Sequence, residues 1–197
     1  MLNDLLNNHH LILASGSPRR QNFFRELQLD FEVRVKPVDE IFPEHLKGHE
    51  ISDYLAKLKA SAFEGELNEK DILVTSDTIV WLENEAINKP KDEDDAKRMI
   101  KHLSGKTHEV ITSVCFKTTS EEIVIHDITK VTFKELSDEE IGFYVDRYKP
   151  LDKAGAYGIQ DWIGYIGVSR IEGSYFNVMG MPIHAVYETL KAIVSKS

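Results

Sequence analysis

Short apolar runs alternate with amphipathic stretches along the first half of the chain. Residues 11–14 have the pattern of a short buried strand, and residues 72–74 start a second strand that 79–82 continue beyond a polar interruption. Helical spacing of apolar residues follows Pro18 and recurs over about 51–63. Residues 108–133 then predict two or three strands. Alternating strands and helices followed by a β-rich middle predict a mixed α/β domain.

Cap and strand signals make these expectations more specific. Residues 92–103 predict a helix with an acidic first turn, and Ser137 with Glu140 forms a capping-box pattern that opens another. Pro182 is predicted to start the last helix. Residues 31–35 alternate as a strand with its apolar side chains on one face. With no linker or low-complexity stretch, residues 1–197 are predicted to form a single domain.

Composition excludes several classes of protein. Among 197 residues, 33 Asp and Glu outnumber 24 Lys and Arg, and the net charge of −9 disfavours a nucleic-acid binder. The only cysteine, Cys115, excludes an intrachain disulfide and is predicted to be a small buried residue in a strand. No apolar run approaches the ~20 residues that span a bilayer, and no signal peptide is evident, so a cytoplasmic protein without a membrane partner is expected.

The turn Ser15-Gly16-Ser17-Pro18-Arg19-Arg20 is the first candidate for chemistry. Backbone N–H groups at the start of a helix favour an anion, and two adjacent arginines add phosphate donors. The P-loop pattern is absent. A capped helix with a solvated arginine pair is the alternative, and the spacing alone favours it.

Asp77 interrupts an apolar strand and is the second candidate. A buried carboxylate is costly unless it is paired or bound to a metal, so Asp77 inside the strand requires a partner. Alternatively, the strand turns there and Asp77 caps it in solvent. The residues alone leave both interpretations open.

Two lysines lie in segments that are more ambiguous. Lys89, before Pro90, is either a phosphate contact or a loop lysine, and the loop is favoured. Small residues beside Lys153 would let the backbone approach a ligand, but a simple bend is the favoured interpretation. The eight histidines show no metal-ligand spacing such as HExxH and are predicted to be surface or structural residues.

Taken in order, six segments closely resemble the Maf family of nucleoside triphosphate pyrophosphatases, over nearly the whole chain. They are Leu13-Ala14-Ser15-Gly16-Ser17-Pro18-Arg19-Arg20, Ser76-Asp77-Thr78-Ile79-Val80, Asn88-Lys89-Pro90, Leu103-Ser104-Gly105 with His108-x-Val110, Asp152-Lys153-Ala154-Gly155-Ala156-Tyr157-Gly158-Ile159-Gln160, and Gly173-Ser174-Tyr175-x-Asn177-Val178.

The resemblance implies an α/β, mixed-sheet, two-lobed domain like that of the inosine triphosphate pyrophosphatases, with a central cleft. It also implies hydrolysis between the α- and β-phosphates with a divalent metal, Mg²⁺, Mn²⁺ or a similar ion. Members are assigned to clearing non-standard or surplus nucleotides, and some are linked to septum formation. The oligomeric state is left open, with a homodimer among the alternatives.

Carried over by motif, Asp77 is the catalytic acid, and Glu40 with Asp77 would hold the metal. The substrate contacts implied are Ser15, Arg19, Arg20, Lys59, Thr78, Lys89, Lys153 and Gln160. Two departures from the family pattern are Asn88, where Gly is usual, and Met181, where Leu is usual.

Elementary chemistry agrees with this assignment. A triphosphate carries about four negative charges, so its cleavage needs surrounding cations and a positioned water. Carboxylate oxygens suit Mg²⁺, and Asp77 could also accept a proton from the attacking water. The sequence does not separate the base from the metal ligand.

Three positions indicate which nucleobase the substrate carries. Arg20 after Arg19, Thr78 after Asp77, and Gln160 resemble the subgroup acting on dTTP and UTP rather than on 7-methyl-GTP. The Gln160 amide offers a donor and an acceptor that match a pyrimidine edge. Modified pyrimidine nucleotides remain open as substrates. The rival hypothesis is a nucleotide-binding regulator of cell division without turnover, but such a protein gains nothing from carboxylates that face an anion.

Overall fold

The computed structural model describes residues 2–195, and among these it contains seven strands and eight α-helices. The strands are β1 (His10–Leu13), β2 (Glu32–Val33), β3 (Asp71–Leu82), β4 (Glu85–Ile87), β5 (Thr107–Lys117), β6 (Glu122–Phe133) and β7 (Val168–Glu172). The helices are α1 (Leu2–Leu6), α2 (Pro18–Glu26), α3 (His49–Ser61), α4 (Glu93–Leu103), α5 (Asp138–Tyr148), α6 (Trp162–Gly167), α7 (Tyr175–Val178) and α8 (Ile183–Val194). The strand order is β2-β1-β3-β5-β6-β7, with β4 paired to β3.

The described chain forms two compact units, and the first comprises residues 2–77, 112–126 and 180–195. In it β1 pairs in parallel with both β2 and β3, and Leu13 lies opposite Val33 on one side and Val74 on the other. Parallel strands need crossover connections, and helices α2 and α3 lie in the segments that connect these strands. A buried apolar cluster of this unit contains Ile12, Ala56, Ala60, Phe63, Leu73 and Cys115.

The second unit comprises residues 78–111 and 127–179. Here β3 and β4 form an antiparallel hairpin, and Glu83 and Asn84 both have positive φ, as a two-residue turn of type I′ requires. Strand β7 pairs antiparallel with β6. The apolar core of the unit is large and includes Val80, Ile100, Leu103, Val131, Phe133, Ile141, Tyr144 and Tyr157.

Most predicted elements are confirmed. Asp92 caps α4 with its side chain, and Ser137 and Glu140 form both hydrogen bonds of the capping box before α5. Pro182 directly precedes α8. The mixed sheet with helices confirms the α/β class, and Cys115 is fully buried in β5, where burial raises the pKa of its thiol to about 12.

Three expectations fail or are incomplete. The strand predicted over 31–35 shortens to β2, and Val33 and Val35 are exposed because β2 is an edge strand with a two-residue register. The turn considered at Asp77 is wrong, since β3 runs unbroken through that residue. Elements α1, β4, α6, β7 and α7 were not predicted, because segments this short cannot display a periodicity.

The domain prediction is not decided by these contacts, and one domain with two lobes around a cleft stays a prediction. Among residues 2–195, no helix combines the length and apolar character that crossing a membrane requires.

A glycine in α6 tests the packing of the second unit. A Cβ added to Gly164 would lie 2.0 Å from the carbonyl oxygen of Ile159. We expect Gly164→Ala to lower the free energy of unfolding by about 3 kcal/mol, because the backbone must shift. Gly142 in α5 has nothing within 4 Å of an added Cβ, so Gly142→Ala should stabilise by about 0.5–1 kcal/mol. Equal midpoints of urea unfolding for the two variants would contradict this packing.

Candidate active site

The turn after β1 leads into α2 through a capped start. Ser17 is the N-cap residue, whose hydroxyl accepts a hydrogen bond from the Arg20 backbone N–H at 3.5 Å, and Pro18 occupies the first turn. The buried Ser15 accepts a bond from the Ser17 N–H through its hydroxyl at 3.3 Å, and the Gln21 amide donates to the Ser15 carbonyl. The helix start is therefore both capped and held to the end of β1.

The two arginines that follow differ in their surroundings. Arg20 donates from Nε to the Gly180 carbonyl and from a terminal nitrogen to the Ser76 carbonyl, both at 2.8 Å. Burial lowers the pKa of Arg20, and the nearby Asp77 opposes that shift. Arg19 has a buried Nε without a hydrogen-bond partner among residues 2–195. Arg20 thus braces the backbone, while Arg19 retains a donor that an anion would satisfy.

Lys59 joins the two predicted metal-binding carboxylates. Its Nζ, in the last turn of α3, lies 2.6 Å from Oδ1 of Asp77 and 2.9 Å from Oε1 of Glu40. The exposed fractions of the side chains are 8% for Asp77, 18% for Lys59 and 38% for Glu40, so the cluster opens to solvent on the Glu40 side. Asp77 is therefore paired with Lys59 inside its strand, as a buried carboxylate requires, and does not cap the strand in solvent.

A divalent cation fits this donor set by its chemistry. Asp77 and Glu40 direct oxygens towards one positive group, and hard cations such as Mg²⁺ take oxygen ligands. The Ser76 hydroxyl, beside Asp77, is also buried without a hydrogen-bond partner in the described part of the chain. The first unit thus brings together Ser15, Arg19, Arg20, Glu40, Lys59 and Asp77, although their roles remain predictions.

Four predicted substrate contacts belong to the second unit. Thr78 follows Asp77 along β3, and Lys89 is exposed just after β4. Lys153 forms an ion pair with its neighbour Asp152 at 2.8 Å. Gln160 is exposed. The pair of Lys153 and Asp152 lies within the second unit. Contact of the four residues with a substrate stays a prediction.

Tyr144 supports the loop that carries Gln160 by hydrogen bonds to residues on both sides of Gln160. The Tyr144 hydroxyl donates to Oδ2 of Asp161 at 2.7 Å and accepts from the Gly158 N–H at 3.0 Å. At the start of the same loop, the Tyr157 hydroxyl lies 2.7 Å from Nε2 of the buried His108. These hydrogen bonds hold the loop that carries Gln160 in place. The sequence analysis did not assign this supporting role to Tyr144.

One further group of residues was missed by the sequence. His49, Asp53 and His126 lie in the first unit with one potential ligand atom each, all within 4.8 Å of one another. The four-residue spacing of His49 and Asp53 on α3 was a signal, since such residues share a helix face. His126 comes from β6, and no local pattern connects it to the other two. His49 and His126 are exposed, as predicted for surface histidines, but the sequence spacing did not indicate that they converge with Asp53.

Comparison with known proteins decides the family. The family model described as Maf-like protein matches residues 10–193. The chain belongs to the Maf family. Among Maf relatives, proteins named dTTP/UTP pyrophosphatase from Flavobacterium johnsoniae and Flavobacterium psychrophilum are 61% and 63% identical to it. The alignments cover 98% and 95% of this chain, and 100% and 96% of those relatives.

A solved structure supports the expected fold. The Ham1 protein of Staphylococcus aureus superposes with a TM-score of 0.55 at 16% identity, over 93% of this chain and 98% of that one. At this identity the likeness concerns the fold alone. It confirms that this Maf protein has the mixed-sheet fold shared with Ham1.

The buried His108, which contacts Tyr157, predicts that the free energy of unfolding depends on pH. Burial lowers the pKa of His108 to about 4, whereas an unfolded histidine titrates near 6.5. The unfolded state therefore binds the extra proton first, and stability falls as the pH drops from about 6.5 to 4. We expect this histidine to account for a loss of about 3 kcal/mol over that range.

The variant His108→Gln should lose this part of the pH dependence while it keeps a polar group near Tyr157. Urea unfolding at pH 7, 6, 5 and 4 measures it, with the exposed His102→Gln as the matched control. If His108→Gln and the parent chain lose stability in parallel, folding does not lower the pKa of His108.

Proposed function

We propose that this protein hydrolyses dTTP and UTP to the nucleoside monophosphate and pyrophosphate. The observation that carries the proposal is the Lys59 ammonium between Asp77 and Glu40, in the same unit as the capped, arginine-bearing start of α2. The names of the Maf relatives, dTTP/UTP pyrophosphatase, support the same reaction.

The two carboxylates favour an enzyme over a pure nucleotide-binding regulator. An anion-binding site is strengthened by cations and weakened by each carboxylate that faces the anion. Here Asp77 is almost completely buried, and its Oδ1 lies 2.6 Å from the Lys59 ammonium. A charged, oriented carboxylate in this place serves to hold a cation or to accept a proton.

Each residue then has a distinct task. Arg19 donates its buried Nε–H to a phosphate oxygen, and the first N–H groups of α2 add to it. Lys59 neutralises charge that develops on the phosphates. Glu40 and Asp77 would hold the divalent metal, which supplies charge neutralisation on the phosphate oxygens when bound. Asp77 accepts the proton of the attacking water.

Base selection is assigned to the second unit. Gln160 is exposed at the end of the loop that Tyr144 supports, and its amide can pair with O4 and N3–H of uracil or thymine. A site that hydrogen-bonds one base edge rejects a mismatched base, because its polar groups are then left unpaired. Lys89, Lys153 and Thr78 are proposed as further contacts through their motifs.

The reaction itself is tested by its products. We expect pyrophosphate to appear in equal amount with the monophosphate, and the activity to be abolished by a chelator and restored by Mg²⁺ or Mn²⁺. Separate detection of pyrophosphate and phosphate in the presence of dTTP provides the measurement. Stepwise release of single phosphates, or activity that survives the chelator, would contradict the proposal.

Asp77→Asn should abolish turnover and leave the fold intact. The change is nearly isosteric but removes the charge that holds a cation and accepts a proton, so we expect kcat to fall at least about 10³-fold. Asp71→Asn is the matched control, because Asp71 is a buried carboxylate on the same strand whose partners are Asn68 and His10. Near-parental kcat in folded Asp77→Asn would show that Asp77 is purely structural.

Substrate choice is tested on a panel of nucleotides. We expect kcat/KM for dTTP and UTP to exceed that for 7-methyl-GTP and for dCTP, and Gln160→Ala to reduce this preference about tenfold or more. Gln28→Ala, a substitution of another exposed glutamine, is the control. An unchanged base preference in Gln160→Ala would sink the assignment of Gln160 while leaving the reaction untouched.

A further inference from the structure

A second cluster of ligand-type side chains lies apart from the carboxylates of the proposed reaction. His49 is the first residue of α3, Asp53 follows one turn later, and His126 lies within β6. Nδ1 of His126 is 3.4 Å from Oδ2 of Asp53, and the two imidazole rings stack with centroids 4.3 Å apart. All three residues belong to the first unit.

The distance between two of these atoms suits neighbouring metal ligands. A separation of 3.4 Å exceeds the usual 2.7–3.2 Å of an N–H···O bond. Two ligands bound at ~2.1 Å to a tetrahedral zinc ion lie ~3.4 Å apart. The imidazole and carboxylate of His126 and Asp53 are therefore already placed as neighbouring ligands.

The carboxylate is also oriented from behind. Ser113 donates its hydroxyl to Oδ1 of Asp53 at 2.6 Å, and the Ser52 hydroxyl lies 2.7 Å from that of Ser113. Both serines are completely buried. Because Oδ1 is engaged, Oδ2 is the oxygen presented to His126. Buried partners that orient a ligating carboxylate are a regular feature of protein metal sites.

The donor set defines the class of metal. Two imidazoles with one carboxylate suit zinc and its neighbours Co²⁺ and Ni²⁺, whereas Mg²⁺ prefers oxygen ligands only. His49 and His126 are exposed and Asp53 is partly exposed, so an ion can enter from solvent. Among residues 2–195 this is the only group of three such side chains with this convergence.

We propose that His49, Asp53 and His126 form a binding site for a divalent transition-metal ion of the zinc class. Three protein ligands leave one position to water or to an external ligand. The ion links the first turn of α3 to β6. Binding should therefore stabilise the folded state in proportion to the metal concentration.

The test uses the full chain after treatment with a chelator. Titration with Zn²⁺ followed by calorimetry, and with Co²⁺ followed by visible absorption, should give one ion per chain at this site, in addition to any ion that Glu40 and Asp77 hold. Asp53→Asn and His126→Ala should each weaken binding at least tenfold and remove the Co²⁺ absorption band. Ser113→Ala should weaken it about tenfold, because the carboxylate loses its orienting donor.

Two controls separate this site from other sources of binding. His184→Ala removes an exposed histidine of α8 and should bind both ions like the parent chain. Asp77→Asn removes a carboxylate proposed to hold the metal of the reaction and should keep the Co²⁺ absorption band of the His49, Asp53 and His126 site, so the two proposals can fail independently. Millimolar Mg²⁺ should not displace Co²⁺.

Thermal unfolding keeps the test valid if a variant is less stable. Zn²⁺ should raise the Tm of the parent chain and of His184→Ala, but not that of Asp53→Asn or His126→Ala, each compared with its own metal-free sample. If His126→Ala does not fold, His49→Gln takes its place. Absence of Zn²⁺ binding in the parent chain, or parental affinity in Asp53→Asn and His126→Ala, would overturn the proposal.

Discussion

The ammonium group of Lys59 allows a carboxylate, that of Asp77, to lie in the interior of the first unit. Asp77 lies in the middle of a buried strand with apolar residues on either side of its polar segment, and an unpaired carboxylate there would cost several kcal/mol. Lys59 offsets that cost with a contact of 2.6 Å and, through Glu40, connects the strand to the loop that follows β2. Helix α3 must therefore pack with its last turn beside β3, which its small residues Ala56 and Ala60 allow.

The same strand and helix are joined by a second polar contact. Thr75, two residues before Asp77, donates its hydroxyl to the Ala56 carbonyl at 2.6 Å. Two residues of the polar interruption in β3 thus contact α3. Thr75 bonds to the helix backbone, and Asp77 forms an ion pair with the helix lysine Lys59. Thr75 and Asp77 are tolerated inside this buried strand because each is paired with a group of α3.

Sequence reasoning succeeded where the signal was local. Capping residues such as Ser137 and Asp92 act on backbone groups two or three positions away, so their patterns predicted α5 and α4 directly. It failed where the partner is distant in the chain. Nothing near Asp77 indicates that its partner is Lys59, and nothing near His49 indicates His126. The resemblance to the Maf family assigned Lys59 to the site, but the pairing itself appears only in three dimensions.

Adjacent arginines illustrate the same limit more finely. Arg19 and Arg20 are identical in type and consecutive in sequence, yet the helix turns their side chains by about 100° relative to each other. Arg20 consequently reaches the carbonyls of Ser76 and Gly180, while Arg19 keeps a buried donor without a partner among residues 2–195. A pattern of residue types cannot show which arginine bonds to the backbone and which keeps a buried donor without a partner among residues 2–195.

The buried thiol of Cys115 has a practical consequence for physical studies of this chain. It is the only cysteine, and in the folded state a thiol with a pKa near 12 is almost wholly protonated at neutral pH. A cysteine introduced at a solvent-facing position, such as the highly exposed Tyr165, would be the only exposed thiol of the folded chain. A fluorophore or spin label can thus be attached at one chosen place without altering the native core.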